Sequence, residues 1–312
     1  MSSETRPIIT FGPKLPGWGS WDWLGLDTAC HLAKQHSIAT FAAWDIPNAA
    51  IVCVIKHPPP QIWINAIKSR SALVYWPVDH YPSVNAIDAD ASFLRACQRI
   101  VVHCRRLHPY FASYAPTEYL DHHVKYVADA PREFSEQGNL LWVGVRSNLP
   151  PLIDWIEKHR LPAVLDILTN FENPNQPPTL RKLGFSRGIE DRIAIHNWSP
   201  EAHLQFAAKA RGFIDIKGDD FRSRHKPPAK GIDAIASGLP VAMNSDSSTV
   251  EHLAQMGFEV PDPSDVDYWL SREYWEETQR FGAALRELLS IERVGRRFSR
   301  IIDEILQSGR PS

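Results

Sequence analysis

The feature that most constrains this chain is an alternation that occurs twice. Short β-branched or aromatic runs give way to segments of helical period, first over residues 8–103 and again over residues 140–242. A short apolar run bounded by turn residues reads as a strand, and an amphipathic segment as a helix packed on it. Repetition of that order predicts parallel sheets wrapped by helices.

In the first half the expected strands are Ile8–Phe11, Ile38–Ala43, Ala50–Ile55, Ala72–Trp76 and Arg99–His103. The expected helices are Trp21–Gln35, with Leu24, Cys30, Leu32 and Ala33 as its inner face, then Pro60–Ser69 and Ala89–Ala96. The second half reads as strand Leu140–Gly144, helix Pro151–His159, strand Ala163–Leu168, strand Ile193–His196, helix Pro200–Ala210 and strand Gly212–Ile216. Between the halves, Ala130–Asn139 is polar and holds Pro131 and Gly138, the composition of a linker. Residues 170–190 are polar and proline-bearing and read as a surface loop. The expected organisation is an α/β chain with two Rossmann-like domains, residues 1–132 and 138–290. A terminal helix follows over residues 291–312, where Val294, Phe298, Ile301, Ile302, Ile305 and Leu306 fall at helical spacing.

Composition narrows the partners. Lysine plus arginine number 34 against 36 aspartate plus glutamate, for a formal charge of -2, so the overall basic bias of nucleic-acid binders is missing and nucleic acid is disfavoured. Arg293, Arg296, Arg297 and Arg300 on the terminal helix read as a solvated face. Cys30, Cys53, Cys97 and Cys104 form no CxxC pair and read as reduced packing residues. The first residues carry no signal-peptide pattern and no run of about 18 apolar residues occurs, which predicts a cytoplasmic protein without a transmembrane segment. The eleven Trp residues are the outlier: an indole serves in a core or against a sugar ring.

The most informative stretch is Ile214–Ala242, which reads as strand, basic loop, short helix, tight turn and strand. Pro227 and Pro228 suit a helix start, and Gly238 followed by Pro240 suits a stop. The first-turn N–H groups of that helix then point back toward a loop carrying Lys217, Arg222, Arg224, Lys226 and Lys230. A helix N-terminus among cations is a site for a phosphorylated ligand.

In the first half, Asp79 and His80 follow a strand whose C-terminal end should open on ligand, and either can orient or deprotonate a hydroxyl. The loop Gly17-Trp18-Gly19-Ser20 lets backbone approach a ligand closely, and Trp18 and the following Trp21 offer aromatic faces to sugar C–H groups; loop ordering alone would also explain the glycines. His122-His123 and His103 with Cys104 read as structural, because neighbours on a strand point to opposite faces, and no metal site is expected.

Four segments carry a family resemblance. Lys230–Ala242 resembles the donor-site segment of GT-B fold glycosyltransferases, especially the large retaining group called family 4. Ile195-His196-Asn197-Trp198-Ser199-Pro200-Glu201 resembles the strand, turn and helix before that segment. Leu141-Trp142-Val143-Gly144-Val145-Arg146 is similar to the first strand of the family's C-terminal domain, and Gly12-Pro13 through Gly17-Trp18-Gly19-Ser20 to its N-terminal glycine loop.

The resemblance implies two Rossmann-like domains facing a cleft, a nucleotide-sugar donor held by the second domain, and a terminal helix crossing back to the first. Asp233 then matches the acidic residue that holds the donor ribose, as an Asp where Glu is usual. Eight positions earlier His225 stands where the family carries a second Glu near the sugar and phosphate. Lys226, Lys230, Arg224 and Arg146 are the candidates to stabilise the leaving diphosphate without metal. Asp88-Ala89-Asp90 spells an Asp-x-Asp metal motif, but in a helix-like stretch away from the inferred donor site.

The expected activity is transfer of a sugar from a UDP- or GDP-sugar to an unidentified acceptor, with retention, without metal and with no separate cofactor. Asp79, His80 and His225 are the candidate catalytic residues. Two alternatives stay open: a non-catalytic nucleotide- or sugar-phosphate-binding protein of the same fold, and a glycosyltransferase acting on nucleic acid.

Overall fold

The computed structural model describes residues 8–128, 133–173, 176–186 and 188–308. The chain divides into two compact units. Unit 1 comprises Met1–His123, His225–Pro227 and Leu289–Ser312, and unit 2 comprises Val124–Arg224 and Pro228–Leu288. Of the expected linker Ala130–Asn139, residues 130–132 lie outside the described residues.

Unit 1 is built on six parallel strands: β1 (Ile8–Gly12), β2 (Ser37–Thr40), β3 (Ile51–Ile55), β4 (Ala72–Trp76), β5 (Arg99–Val102) and β6 (Thr117–Tyr119). Their spatial order is β2-β1-β3-β4-β5-β6, so the direction of winding reverses between β1 and β3. All five residues of β3 are buried, which is why its sequence reads as a continuous apolar run rather than an alternating one.

After β1 the chain enters a π-helical stretch, Trp21–Asp27, that continues into α1 (Thr28–Leu32). Trp21, Leu24, Gly25, Thr28, Ala29 and Leu32 form its buried face. Cys30 and Ala33, expected on that face, are exposed instead. The six buried positions already follow the i, i+3, i+4, i+7 spacing of one helix face, and small Gly25 and Thr28 concealed it in the sequence. Further helices are α2 (Gln61–Lys68), α3 (Val84–Ala89), α4 (Ala91–Ala96) and α5 (His108–Ala112).

Unit 2 holds five parallel strands: β7 (Leu140–Val143), β8 (Leu165–Thr169), β9 (Ile193–Asn197), β10 (Gly212–Asp215) and β11 (Val241–Met243). Their order is β11-β10-β7-β8-β9, which places the reversal of winding between β7 and β10. The helices are α6 (Pro150–Lys158), α7 (Leu180–Leu183), α8 (Pro200–Lys209), α9 (Phe221–Arg224), α10 (Ala229–Ala236), α11 (Ser248–Gln255), α12 (Val266–Trp269) and α13 (Arg272–Leu288). Thus the stretch expected as plain loop over 170–190 contains α7, capped by the Thr179 hydroxyl and ended by Gly184 at φ 100°. Packing of α10 on α13 is close: a Cβ on Gly282 would lie 2.1 Å from the Ile235 carbonyl oxygen.

The chain then returns to unit 1 with α14 (Ile291–Gln307). Val294, Phe298, Ile301, Ile302 and Ile305 join β1, β3, β4 and the Trp21–Leu32 helix in one core. Each such side chain stabilises the unit by about 2 kcal/mol through burial. The Ser290 hydroxyl caps the helix, and on its outer side Arg297 bonds to Asp121. Among the described residues no helix is long and apolar enough to cross a membrane.

Candidate functional site

Ligands of open α/β sheets bind beyond the carboxyl ends of the strands where the winding reverses. In unit 2 that place lies past β7 and β10, and of the expected donor-side residues Lys230 stands at the end of β7; Lys226 belongs to unit 1. Lys230, in the first turn of α10, is half-buried, and its Nζ donates 2.7 Å to the carbonyl oxygen of Val143, the last residue of β7. The same Nζ stands 5.4 Å from the Trp142 ring. Gly144 makes this approach possible: a Cβ there would lie 2.7 Å from Lys230 Nζ and 2.7 Å from Trp142. Pro228, the residue that caps α10, has no side-chain hydrogen bond to offer the first-turn N–H groups. An N-terminus of this kind, with a lysine on its first turn, favours an anion.

The other expected cations are less uniform. Lys217 is nearly buried and its Nζ meets Asp215 Oδ2 at 2.6 Å, with its backbone N–H donating 2.8 Å to Asn244 Oδ1. Arg146 pairs with Glu172 at 2.6 Å, and Arg224 pairs with Asp246 at 2.8 Å while its Nε donates to the Asp219 carbonyl. Exposed pairs such as these two contribute about 0–1 kcal/mol and exchange readily for a phosphate. Lys217–Asp215 is different, since breaking a buried pair leaves an uncompensated charge. Arg222 is exposed and Lys226 half-buried.

Asp233 is buried within unit 2. Its Oδ1 accepts from the Lys125 N–H at 2.9 Å and its Oδ2 from the Tyr126 N–H at 3.1 Å. Burial pushes its carboxyl up to about 7, partly offset by the two amides. In this structure the side chain anchors the segment after β6 to α10, with both oxygens engaged, rather than presenting a carboxylate to a ribose. The neighbouring Ser237 hydroxyl accepts from the Ala128 N–H at 3.1 Å and completes the anchor. Nothing in the sequence near Asp233 signals this, because its partners lie more than a hundred residues upstream.

In unit 1 the winding reverses between β1 and β3. Here Lys56, at φ 65°, places Nζ 4.7 Å from the exposed Trp18 ring, and Trp18 meets His57 edge-on at 5.9 Å. His57 meets His80 at 5.4 Å, and His80 meets Tyr81 at 4.6 Å. A cleft of about 590 Å³ opens among Lys14, Trp44, His57, His80, Asp90 and the Pro58–Pro60 run. Burial, and after it the adjacent Lys56, lowers the His57 imidazole, favouring the neutral form that can accept a proton. Neither Lys56 nor His57 is among the expected site residues; both directly follow the apolar run of β3, the position that should have drawn attention to them.

Asp79 sits beside His80 at φ 50°, a conformation an ordinary side chain adopts only under constraint. Its Oδ1 is buried without a hydrogen-bond partner. His225 belongs to unit 1, where its ring lies edge-on to Tyr110 at 5.6 Å and lines a small cavity with Asp79. Gly17 takes φ 78° in the glycine loop and Gly19 faces the Trp23 ring, while Ser20 ends the loop with a buried hydroxyl. Trp21 is buried and cannot face a ligand.

Asp88 accepts from Tyr114 and Asp90 accepts from Tyr81 at 2.9 Å, so the two carboxylates of Asp-x-Asp have separate phenol partners. Among the described residues no cluster of three or more His, Cys, Asp or Glu could hold a metal. His123 pairs with Asp27 at 2.9 Å, and the rings of His103 and His122 meet edge-on at 4.4 Å.

No protein-family model matches this chain, and no curated protein matches it by sequence. Solved structures do match. The chain is similar to AviGT4, a glycosyltransferase involved in avilamycin A biosynthesis, with TM-score 0.64 and 12% identity over 97% of this chain and 99% of that one. It is similar to WaaG, a glycosyltransferase involved in lipopolysaccharide biosynthesis, with TM-score 0.52 and 14% identity over 94% and 95% of the two chains. The pneumococcal O-GlcNAc transferase GtfA, solved with UDP and GlcNAc, gives TM-score 0.54 and 14% identity over 82% of this chain. This chain spans only 57% of the length of GtfA. At such identities the likeness defines the fold: two Rossmann-like domains of the GT-B glycosyltransferase type.

Proposed function

We propose that this protein is a glycosyltransferase that takes a nucleoside-diphosphate sugar as donor. One observation carries the reading: Lys230, in the first turn of a helix without a side-chain cap, reaches the end of β7 at the point where the winding of unit 2 reverses. A diphosphate there would receive first-turn N–H groups and the Lys230 ammonium, with Arg146 and Arg224 exchanging their surface carboxylates for phosphate oxygens. Negative charge that grows on the leaving diphosphate is stabilised by these groups without metal, and retention of configuration is the proposed outcome. Arg222 and Lys217 are further candidate contacts.

The acceptor hydroxyl is assigned to the unit 1 cleft. His80 and His57 are the candidates to receive its proton, and Trp18 with Lys56 to hold its ring or anionic substituent. A cytoplasmic location and UDP or GDP as the carrier complete the proposal. The solved GtfA complex with UDP and GlcNAc supports a UDP carrier by analogy of fold. The first alternative, binding without transfer, rests on His225 in the place of a carboxylate.

The deciding experiment is a thermal-shift screen against UDP, GDP, ADP, TDP and CMP, with and without attached sugars, repeated on Lys230→Ala and Arg146→Ala. Ligand at 100 times its dissociation constant stabilises the fold by about 2.7 kcal/mol. A shift with one diphosphate that both variants lose, followed by release of that diphosphate on turnover with an acceptor, supports the reading. A specific shift without turnover favours the binding protein, and no shift with any nucleotide rejects the donor site.

A further inference from the structure

The ends of β4 and β5 in unit 1 border a small cavity of about 10 Å³, lined by Asp79, His103, His225 and the apolar Val78, Val102 and Leu107 among others. His103 is 3% exposed. Its Nδ1 lies 2.7 Å from the Leu120 carbonyl oxygen, and a carbonyl accepts only, so Nδ1 carries the proton and Nε2 bears a lone pair. That Nε2 is buried without a hydrogen-bond partner, and so is Asp79 Oδ1. Both residues line the cavity, and two buried acceptors cannot satisfy each other. They can be satisfied together by one small molecule with two donor hydrogens, and the volume is that of a single water.

We propose that a single water molecule is bound here, donating one hydrogen to His103 Nε2 and the other to Asp79 Oδ1, and that His103 is thereby a positioning residue for Asp79. The arrangement accounts for two facts that are otherwise unconnected. Asp79 is held at φ 50°, in the left-handed region that apart from Gly is adopted mainly by Asn and Asp. The imidazole of His103 stays neutral because burial lowers it to about 4, which keeps the lone pair available to accept. Through the water, the orientation of the Asp79 carboxylate is tied to the Leu120 backbone on the far side of His103. The purpose of that orientation, to set the turn that presents His80, rests on the transferase reading; the water site itself does not.

A crystal structure of the full chain near 1.2 Å, with ¹⁵N NMR of histidine-labelled protein, tests the site directly. Expected are a water within 2.6–3.2 Å of both atoms and the Nδ1–H tautomer at His103. A proton on Nε2, a water bridging Asp79 to His225 instead, or no water at the site would each overturn the proposal. The positioning role is read from crystal structures of two variants. His103→Phe expels the water, and the Asp79 carboxylate should leave its present orientation as it loses a donor. His103→Gln, whose amide can donate to the same oxygen, should restore that orientation and also guards against loss of folding in the Phe variant. An Asp79 carboxylate that keeps its orientation in a folded His103→Phe protein would refute the role. Neither readout uses donor or acceptor, so failure of the transferase reading would leave both standing.

Discussion

Lys230 Nζ donates 2.7 Å to the carbonyl oxygen of Val143, joining the first turn of α10 to the end of β7 across the switch point of the second sheet. The ammonium that makes this bond is a cation at a helix start, where an anion is favoured. Lys230→Ala should abolish the thermal shift produced by the preferred nucleoside diphosphate. The unliganded protein should lose only about 1–3 kcal/mol, the worth of a charged hydrogen bond. Thermal denaturation with and without nucleotide separates the two effects, and a retained nucleotide shift in the variant would remove Lys230 from the donor site.

Gly144 sits beneath that contact. A Cβ at this position would meet Lys230 Nζ and the Trp142 ring at 2.7 Å each, and Trp142 is fully buried and cannot give way easily. The lysine end is the softer neighbour. Gly144→Ala should therefore displace Lys230 and weaken nucleotide affinity by about tenfold, alongside a stability loss of roughly 1–3 kcal/mol from crowding. Isothermal titration with the nucleotide found in the screen checks this; unchanged affinity would show that Lys230 need not hold its present place.

Asp233 links the segment after β6 to α10 through two backbone amides. An asparagine offers one oxygen, so one amide would face an NH2 group instead. Asp233→Asn should cost about 1–3 kcal/mol for the orphaned donor. The loss should depend on pH. The carboxyl is raised from 3.8 to about 7 by burial, so the folded state holds its proton more tightly than the unfolded chain. Its stabilising contribution is full below about 4 and is lost as pH rises through about 7. The gap between variant and native protein should be wide at pH 5 and narrow at pH 8 in urea denaturation. A pH-independent gap would mean that the carboxyl is not raised.

These residues show what the sequence could and could not reveal. The strand-helix alternation was legible because each buried strand is a short apolar run with turn residues at its ends, and β7, β10 and α10 lie within a residue or two of expectation. The terminal helix was legible for the same reason, its apolar positions repeating at one spacing. The face of the Trp21–Leu32 helix was not, because Gly25 and Thr28 are buried there without being strongly apolar. The helix start that carries Lys230 was legible from its neighbours in sequence, the prolines before it and the glycine stop after it. The pairing of Lys217 with Asp215, and of Asp233 with the amides of Lys125 and Tyr126, depends on which surfaces the completed fold brings together. The family resemblance gave Asp233 to a ligand, whereas in this structure its two oxygens are engaged by the backbone.

Buried neutral histidines make a last prediction, the acid lability of the fold. Burial lowers His103 and His203 to about 4 and His122 well below its usual value, with Lys230 adding to the effect on His203 and with His103 and His123 adding to it on His122. In the unfolded chain all three titrate near 6.5, so between about 6.5 and 4 the unfolded state binds more protons than the folded one. The stability they allow is full above 6.5 and is lost as pH falls through that window, by roughly 3 kcal/mol for a group shifted to about 4. Asp233 acts in the opposite sense over the same range, but one carboxyl cannot offset three imidazoles. Unfolding free energy should therefore fall from pH 7 to pH 4.5. His122 is the informative position, since both its nitrogens are buried without a hydrogen-bond partner. Replacing an unsatisfied polar group by an apolar one of similar volume removes the desolvation cost. His122→Leu should raise stability at pH 5 and flatten the pH dependence between 6.5 and 4.5, as measured by urea titrations at each pH. Loss of stability at both pH 5 and pH 7 would show instead that the His122 ring, edge-on to His103, holds unit 1 together by its shape and not at the expense of a proton site.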